Sequence, residues 1–166
     1  MIREFDFSLI EAPMNDPSSI RINRLHSGDL KLFQELVRLF AEVFETQTAT
    51  KANEKRLEYL LRKSEFVVLA ALDADQVVGG LTAYELPMYS SDALEMFLYD
   101  IAVLPKYHRR GIGSSLLSEL RDYCGSKKIG SIFVDALKAD KEAVDFYRAT
   151  GGSGEEVVHF SYEIRS

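Results

Sequence analysis

The stretch from Tyr99 to Leu120 limits the chain to a small set of folds, because the period of its apolar residues changes part-way. Glu95 to Val103 is apolar, β-branched or aromatic at most positions and Pro105 ends it, which predicts a strand. From Ile112 onward Ile112, Leu116, Leu117, Leu120 and Tyr123 fall at helical spacing. Between the two lie His108, Arg109, Arg110, Gly111, Ile112, Gly113 and Ser114. A helix start offers unpaired amides and the positive end of its dipole, glycine lets that backbone come close to a ligand, and arginine adds charge. A phosphate or pyrophosphate therefore fits the Arg109–Ser114 backbone. The plainer alternative is a solvated turn, since Gly-x-Gly alone is weak evidence. Position 116 is leucine, which breaks Gly-x-Gly-x-x-Gly, and no Gly-x-x-x-x-Gly-Lys-Ser/Thr occurs, so neither a Rossmann dinucleotide site nor a P-loop is expected.

The rest of the chain supplies strands and helices in a definite order. Ile20–Leu25 alternates as a first strand; Leu30, Phe33, Leu36, Val37, Phe40 and Phe44 mark one face of a helix that starts at Gly28-Asp29. Thr46–Asn53 reads as a polar loop and Glu54–Lys63 as a short helix. Glu65–Leu72 is a buried strand, Asp73-Ala74-Asp75 a hairpin turn and Gln76–Leu86 its partner, where Gly79 and Gly80 predict a bulge or a close backbone approach. After the loop Pro87–Ala93 and the strand–loop–helix described above come a strand over Ile129–Ala136, a helix over Asp140–Thr150 with Asp140 as N-cap, and a last strand over Val157–Ile164. Residues 1–18 read as an N-terminal arm or a tail, and 19–166 as one domain.

Composition removes several classes of function. The net charge of -6 disfavours a nucleic-acid binder, which needs a broad basic face, and suits a cationic substrate. Cys124 is the only cysteine, so no intrachain disulfide is possible and a reducing, cytoplasmic setting is expected. No apolar run reaches the ~18 residues of a spanning helix, and the N-terminus has no signal-peptide core. The three histidines, His26, His108 and His159, show no ligand spacing, so no metal is expected.

The loop and the element order together resemble the GNAT acyltransferases. Their signature, Gln/Arg-x-x-Gly-x-Gly/Ala, is met here by His108-Arg109-Arg110-Gly111-Ile112-Gly113, with His108 in place of Gln or Arg. The resemblance covers about residues 20–164. It implies an α/β (α+β) fold: a mixed, mostly antiparallel sheet of six to seven strands, helices on both faces, and a cleft where the fourth and fifth strands splay. It also implies acetyl-CoA as cosubstrate. The amides of Arg109–Ser114 would hold its pyrophosphate, and those of Ile101, Ala102 and Val103 its pantetheine arm and thioester carbonyl. In that family a tyrosine in Ala-x-x-x-Tyr-x-x-x-Gly protonates the leaving sulfur. Ala143 to Gly151 matches this spacing with Tyr147, although the usual Phe after the glycine is Gly152. Taken without the resemblance, Tyr147 reads as an aromatic on the core face of a helix.

Asp100 is the sharpest acidic candidate, because a carboxylate in a largely apolar strand is costly unless it is paired or faces a cleft. It can bind a substrate ammonium and take its proton, directly or through water; the alternative is an Asp that bonds nearby loop amides. Longer matches resemble the class I aminoglycoside 3-N-acetyltransferases: Tyr59 to Phe66, Ala70 to Asp73, Val77 to Pro87, Tyr99 to Val103, and Glu155 to Phe160. That resemblance implies acetyl transfer to the 3-amino group of an aminoglycoside, with Asp100 beside the acceptor amine. Tyr99, Glu85, Asp92, Asp135, Asp140, Glu155 and Glu156 are candidates to line an acidic cleft for the polycation. Ala136 to Glu142 departs from that type, carrying Leu137, Lys138 and Lys141 where it has an acidic run. The alternatives are another small polyamine, amino sugar or peptide amine as acceptor, or a non-catalytic acyl-CoA-binding module. The last strand, with Phe160 and Tyr162, is a candidate contact for a homodimer.

Overall fold

The apolar run Phe66–Leu72 becomes the most deeply buried part of a sheet. In the computed structural model, which describes residues 20–45 and 53–164, the chain divides into two units, one ending at Phe133 and the other beginning at Val134. The arm expected over residues 1–18 and most of the loop Thr46–Asn53 lie outside the described residues.

The first unit runs β1 (Ile20–Arg24), α1 (Leu30–Val43), α2 (Glu54–Leu61), β2 (Phe66–Asp73), β3 (Gln76–Pro87), β4 (Leu94–Val103), a 3-10 turn (Pro105–Tyr107), α3 (Ile112–Lys127) and β5 (Ser131–Phe133). The sheet order is β1-β2-β3-β4-β5, antiparallel except for the parallel β4–β5 pair. Every residue of β2 is buried, because α1 and α2 cover one face of the sheet and α3 the other. On the first face Phe33, Leu36, Leu39 and Phe40 of α1 and Leu57 and Leu61 of α2 pack on Val68, Ala70, Leu72 and Ala102. Asn53 caps α2 by accepting the Lys55 amide at 3.0 Å.

The expected irregularity at Gly79 and Gly80 is present. Ala71 pairs Gly79 and Leu72 pairs Val77, so Val78 is an extra residue on β3. Gly80 also marks a close approach: a Cβ there would sit 2.5 Å from the Leu69 carbonyl oxygen and 2.6 Å from Leu36 Cδ1. A bare backbone at Gly80 thus lets α1 seat against the sheet.

The strand count needs correction. The described residues hold five strands rather than six or seven, with four α-helices. β5 shrinks from Ile129–Ala136 to Ser131–Phe133, because Ile129 is buried at the end of α3, its amide bonded to the Cys124 carbonyl at 2.9 Å. Val157–Ile164 forms no ladder, and Val157, Val158, Phe160, Tyr162 and Ile164 are all exposed. Alternating apolar residues give a segment strand propensity, but a strand exists only where a neighbour pairs with it.

The second unit holds α4 (Lys141–Ala149). Asp140 caps its start, accepting the Ala143 amide at 3.0 Å. Its end is a Schellman turn: Gly151, with φ of 90°, donates to the Arg148 carbonyl at 3.0 Å and Gly152 to that of Tyr147 at 2.8 Å.

Candidate active site

The loop between β4 and α3 is shaped as an anion cradle. Arg109 and Gly111 take positive φ values of 61° and 77°, the left-handed backbone that occurs in anion-binding nests. Gly111 is the N-cap residue of α3, and no side chain among the described residues caps that end. The amides at Ile112, Gly113 and Ser114 are therefore first-turn donors without a helical acceptor, at the positive end of a 16-residue helix. The loop is pinned from below. Buried Tyr107 donates its hydroxyl to Asp73 Oδ2 at the end of β2, at 2.8 Å. The Arg110 guanidinium lies 4.9 Å from the Tyr107 ring centre, and His108 Nε2 lies 2.8 Å from the Val103 carbonyl oxygen.

A bulge in β4 arranges the acidic candidate. Asp100 pairs Thr82 and Leu98 pairs Ala83, so Tyr99 is one residue more than β3 can match. Leu98 and Met96 stay buried while Tyr99 and Asp100, though adjacent, both lie on the face that carries Thr82 and Tyr84. Thr82 Oγ1 lies 3.5 Å from Asp100 Oδ2, the outer limit of a hydrogen bond, and no cationic side chain among the described residues pairs with the carboxylate. Burial raises the Asp100 pKa above the ordinary carboxylate value, against the opposing effect of the Thr82 contact.

Beyond the bulge one side of β4 has no paired strand among the described residues. β5 pairs only with Glu95, Met96 and Phe97, and no described strand pairs with that side of Tyr99–Val103. That stretch includes Ile101, Ala102 and Val103, whose amides the sequence nominated for the pantetheine arm, and the Val103 carbonyl is already met by His108. In the second unit Tyr147 is half-buried on α4, its ring edge-on to Phe146 with centres 5.2 Å apart. A Cβ at Gly152 would lie 2.9 Å from the Tyr147 carbonyl oxygen.

A strand, an uncapped glycine-led helix start and the Tyr147 helix occur in the order a GNAT enzyme requires, and the model of the acetyltransferase (GNAT) family matches residues 31–151. The chain belongs to that family. Among solved structures, this GNAT chain is similar to an aminoglycoside acetyltransferase from an uncultured soil metagenomic sample. That protein's complex with trehalose is 38% identical, with a TM-score of 0.87, and the match covers 89% of this chain and 98% of that one. The complex of the same protein with sisomicin is 37% identical, with the same TM-score of 0.87 and the same coverage, 89% and 98%. A second soil metagenomic aminoglycoside acetyltransferase is 32% identical, with a TM-score of 0.82, over 89% of this chain and 99% of that one. Among curated relatives, an uncharacterized protein of Mycobacterium leprae is 34% identical over 85 residues, half of this GNAT chain but only 22% of that protein's length.

Several of the remaining acidic candidates of this acetyltransferase have local partners. Glu85 lies on the opposite face of the sheet from Asp100 and accepts the hydroxyl of Tyr123 on α3. Burial and that hydrogen bond push the Tyr123 pKa up to about 12. Burial, with Glu85 nearby, pushes the Cys124 thiol up to about 11, which leaves it inert as a nucleophile. In the second unit Asp140 is the α4 cap, Asp135 Oδ2 lies 3.8 Å from His159 Nδ1, Glu156 pairs with Lys138 at 2.9 Å, and Glu155 is exposed. Asp92 is exposed in the β3–β4 loop. Reading the sequence missed the Tyr99 bulge, Thr82 beside Asp100, and the Tyr107–Asp73 anchor. Tyr99-Asp100 following alternating Met96 and Leu98 was the available sign of the bulge, whereas nothing in the sequence linked Tyr107 to Asp73.

Proposed function

We propose that this enzyme moves acetyl from acetyl-CoA to a primary amine of an aminoglycoside, at the 3-amino group, by direct attack in a ternary complex. The observation that carries this reading is Asp100: a partly buried carboxylate without a cationic partner among the described residues, beside the side of β4 that no described strand pairs. The substrate ammonium occupies that position and gives a proton to Asp100, directly or through water. The freed nitrogen lone pair attacks the thioester carbonyl, whose oxyanion is held by amides from Ile101–Val103. The carbon–sulfur bond then breaks, the thiolate takes the proton of the Tyr147 hydroxyl, and the second proton lost by the nitrogen passes through water to restore the tyrosinate, giving the neutral amide and CoA thiol. The uncapped start of α3, with Arg109 and Arg110, holds the pyrophosphate. The likeness to a sisomicin-bound acetyltransferase supports the acceptor class.

A second acceptor class is favoured by one observation. Lys138 pairs with Glu156, and this neutralises acidity in the segment where the aminoglycoside 3-N-acetyltransferases carry an acidic run. A smaller amine with fewer charges, a polyamine or simple amino sugar, suits that segment better.

The deciding experiment is thiol release from acetyl-CoA with gentamicin, sisomicin, kanamycin, spermidine, glucosamine and lysine peptides. Turnover of the first three at a kcat/KM of ~10⁴ M⁻¹s⁻¹ or more supports the first reading, and NMR of the product tests the 3-amino position. Turnover confined to the other acceptors keeps the chemistry and replaces the substrate. Binding of CoA with no turnover of any amine points to a binding module.

A further inference from the structure

On the face of the sheet that carries Asp100, aromatic rings form an unbroken row across the strands. Phe33 and Phe66 are buried at one end, their ring centres 5.9 Å apart, and Tyr84 follows 4.9 Å from Phe66. Tyr99 stands edge-on to both Tyr84 and Phe97, each 5.7 Å away, and Phe97 stacks on Phe133 of β5 at 5.0 Å with an 18° tilt. The buried end is ordinary core. The other end is not, since Tyr99 is 59% and Phe133 41% exposed. The Tyr99 bulge puts this exposed end next to the Asp100 carboxylate.

We propose that Tyr99, Phe97 and Phe133 form a stacking surface for the acceptor, on which the C–H face of an amino-sugar ring lies while its ammonium group reaches Asp100. This deepens the proposed function and rests on it. A sugar ring has one face of axial C–H groups, slightly positive, which matches the negative face of an aromatic ring. An ammonium on that ring is drawn both by the aromatic faces and by a carboxylate that has no cationic partner of its own among the described residues. An acyclic polyamine has the charge but no ring face. The aromatic row therefore separates amino sugars from linear amines, whereas Asp100 serves both.

Calorimetric titration of sisomicin and of spermidine into the CoA-loaded protein tests this, in the natural chain and in Tyr99→Leu, Phe133→Leu and Asp100→Asn. Both ring variants should weaken sisomicin about tenfold and spermidine by less than about twofold, while Asp100→Asn weakens both. CoA affinity unchanged in all three shows that the fold is intact. Sisomicin affinity within about twofold of the natural chain in both ring variants, equal losses for the two amines, or no sisomicin binding by the natural chain would each overturn the stacking surface. Ring-dependent sisomicin binding without acetyl transfer would overturn the reaction and keep the surface. Acetyl transfer with ring-independent binding would do the reverse.

Discussion

At the scale of single residues, Asp100 combines a structural cost with a chemical use. Because burial raises its pKa, the folded chain holds the Asp100 proton more tightly than the unfolded chain does, and ionised Asp100 subtracts from stability above its folded pKa. That cost is relieved as pH falls. Asp100→Asn should therefore leave Tm at pH 7 unchanged or higher while kcat/KM for the acceptor drops, and thermal melts beside steady-state kinetics check the pair. Activity needs the ionised form, so the acid limb of kcat/KM should lie above the range of an ordinary aspartate and disappear in the variant. Tyr147→Phe should lower kcat by ~10²-fold with the KM for acetyl-CoA nearly constant, as expected for loss of a proton donor to the leaving sulfur. A rate limited by product release would show in pre-steady-state bursts.

At the scale of elements, the β4–α3 loop depends on its anchor. Tyr107→Phe removes the hydroxyl given to Asp73 and with it one charge-assisted hydrogen bond that ties the loop to β2. We expect the KM for acetyl-CoA to rise about five- to tenfold, the effect of one lost hydrogen bond to a charged group, with acceptor KM unchanged. At the end of α4, Gly151→Ala meets a φ of 90° and should cost about 1–2 kcal/mol of local stability, read by hydrogen exchange of the α4 amides. The elements differ in how openly the sequence announces them. α1, β2 and the β4–loop–α3 run have strong periods and clear stops, and the structure gives them nearly the expected bounds. The period of Val157–Ile164 is just as clear, but no described strand pairs with it. Pattern fixes which side chains share a face; the partner of an edge is decided by tertiary structure.

At the scale of the whole molecule, charge and packing set the expectations. A net charge of -6 draws polycations by long-range attraction, so acceptor KM should rise as salt increases from 20 to 300 mM, roughly the range in which the Debye length falls from about 20 to about 6 Å. The KM of the anionic acetyl-CoA should not rise in parallel for that reason. Gly80→Ala forces a Cβ against the Leu69 carbonyl and Leu36 and should lower stability by about 1–3 kcal/mol, seen as a reduced Tm. The loop, Asp100 and Tyr147 could be named as candidates from the sequence because each carries its chemistry in local order. The place of Glu85 was not legible, since its face follows from β3 alternation and its partner Tyr123 lies 38 residues away on α3. The Tyr99 bulge has a consequence for how chain length varies here. Counting along β4, Leu98 belongs to one face, and with Tyr99 removed Asp100 would be the next residue and would still fall on the other. Deleting Tyr99 would therefore keep every remaining side chain in phase, as deleting Asp100 would, whereas deleting a residue outside this pair would invert the parity of part of the strand. Position 99 is one place where this family member can lose a residue, and with it a ring beside Asp100, without rewriting the core.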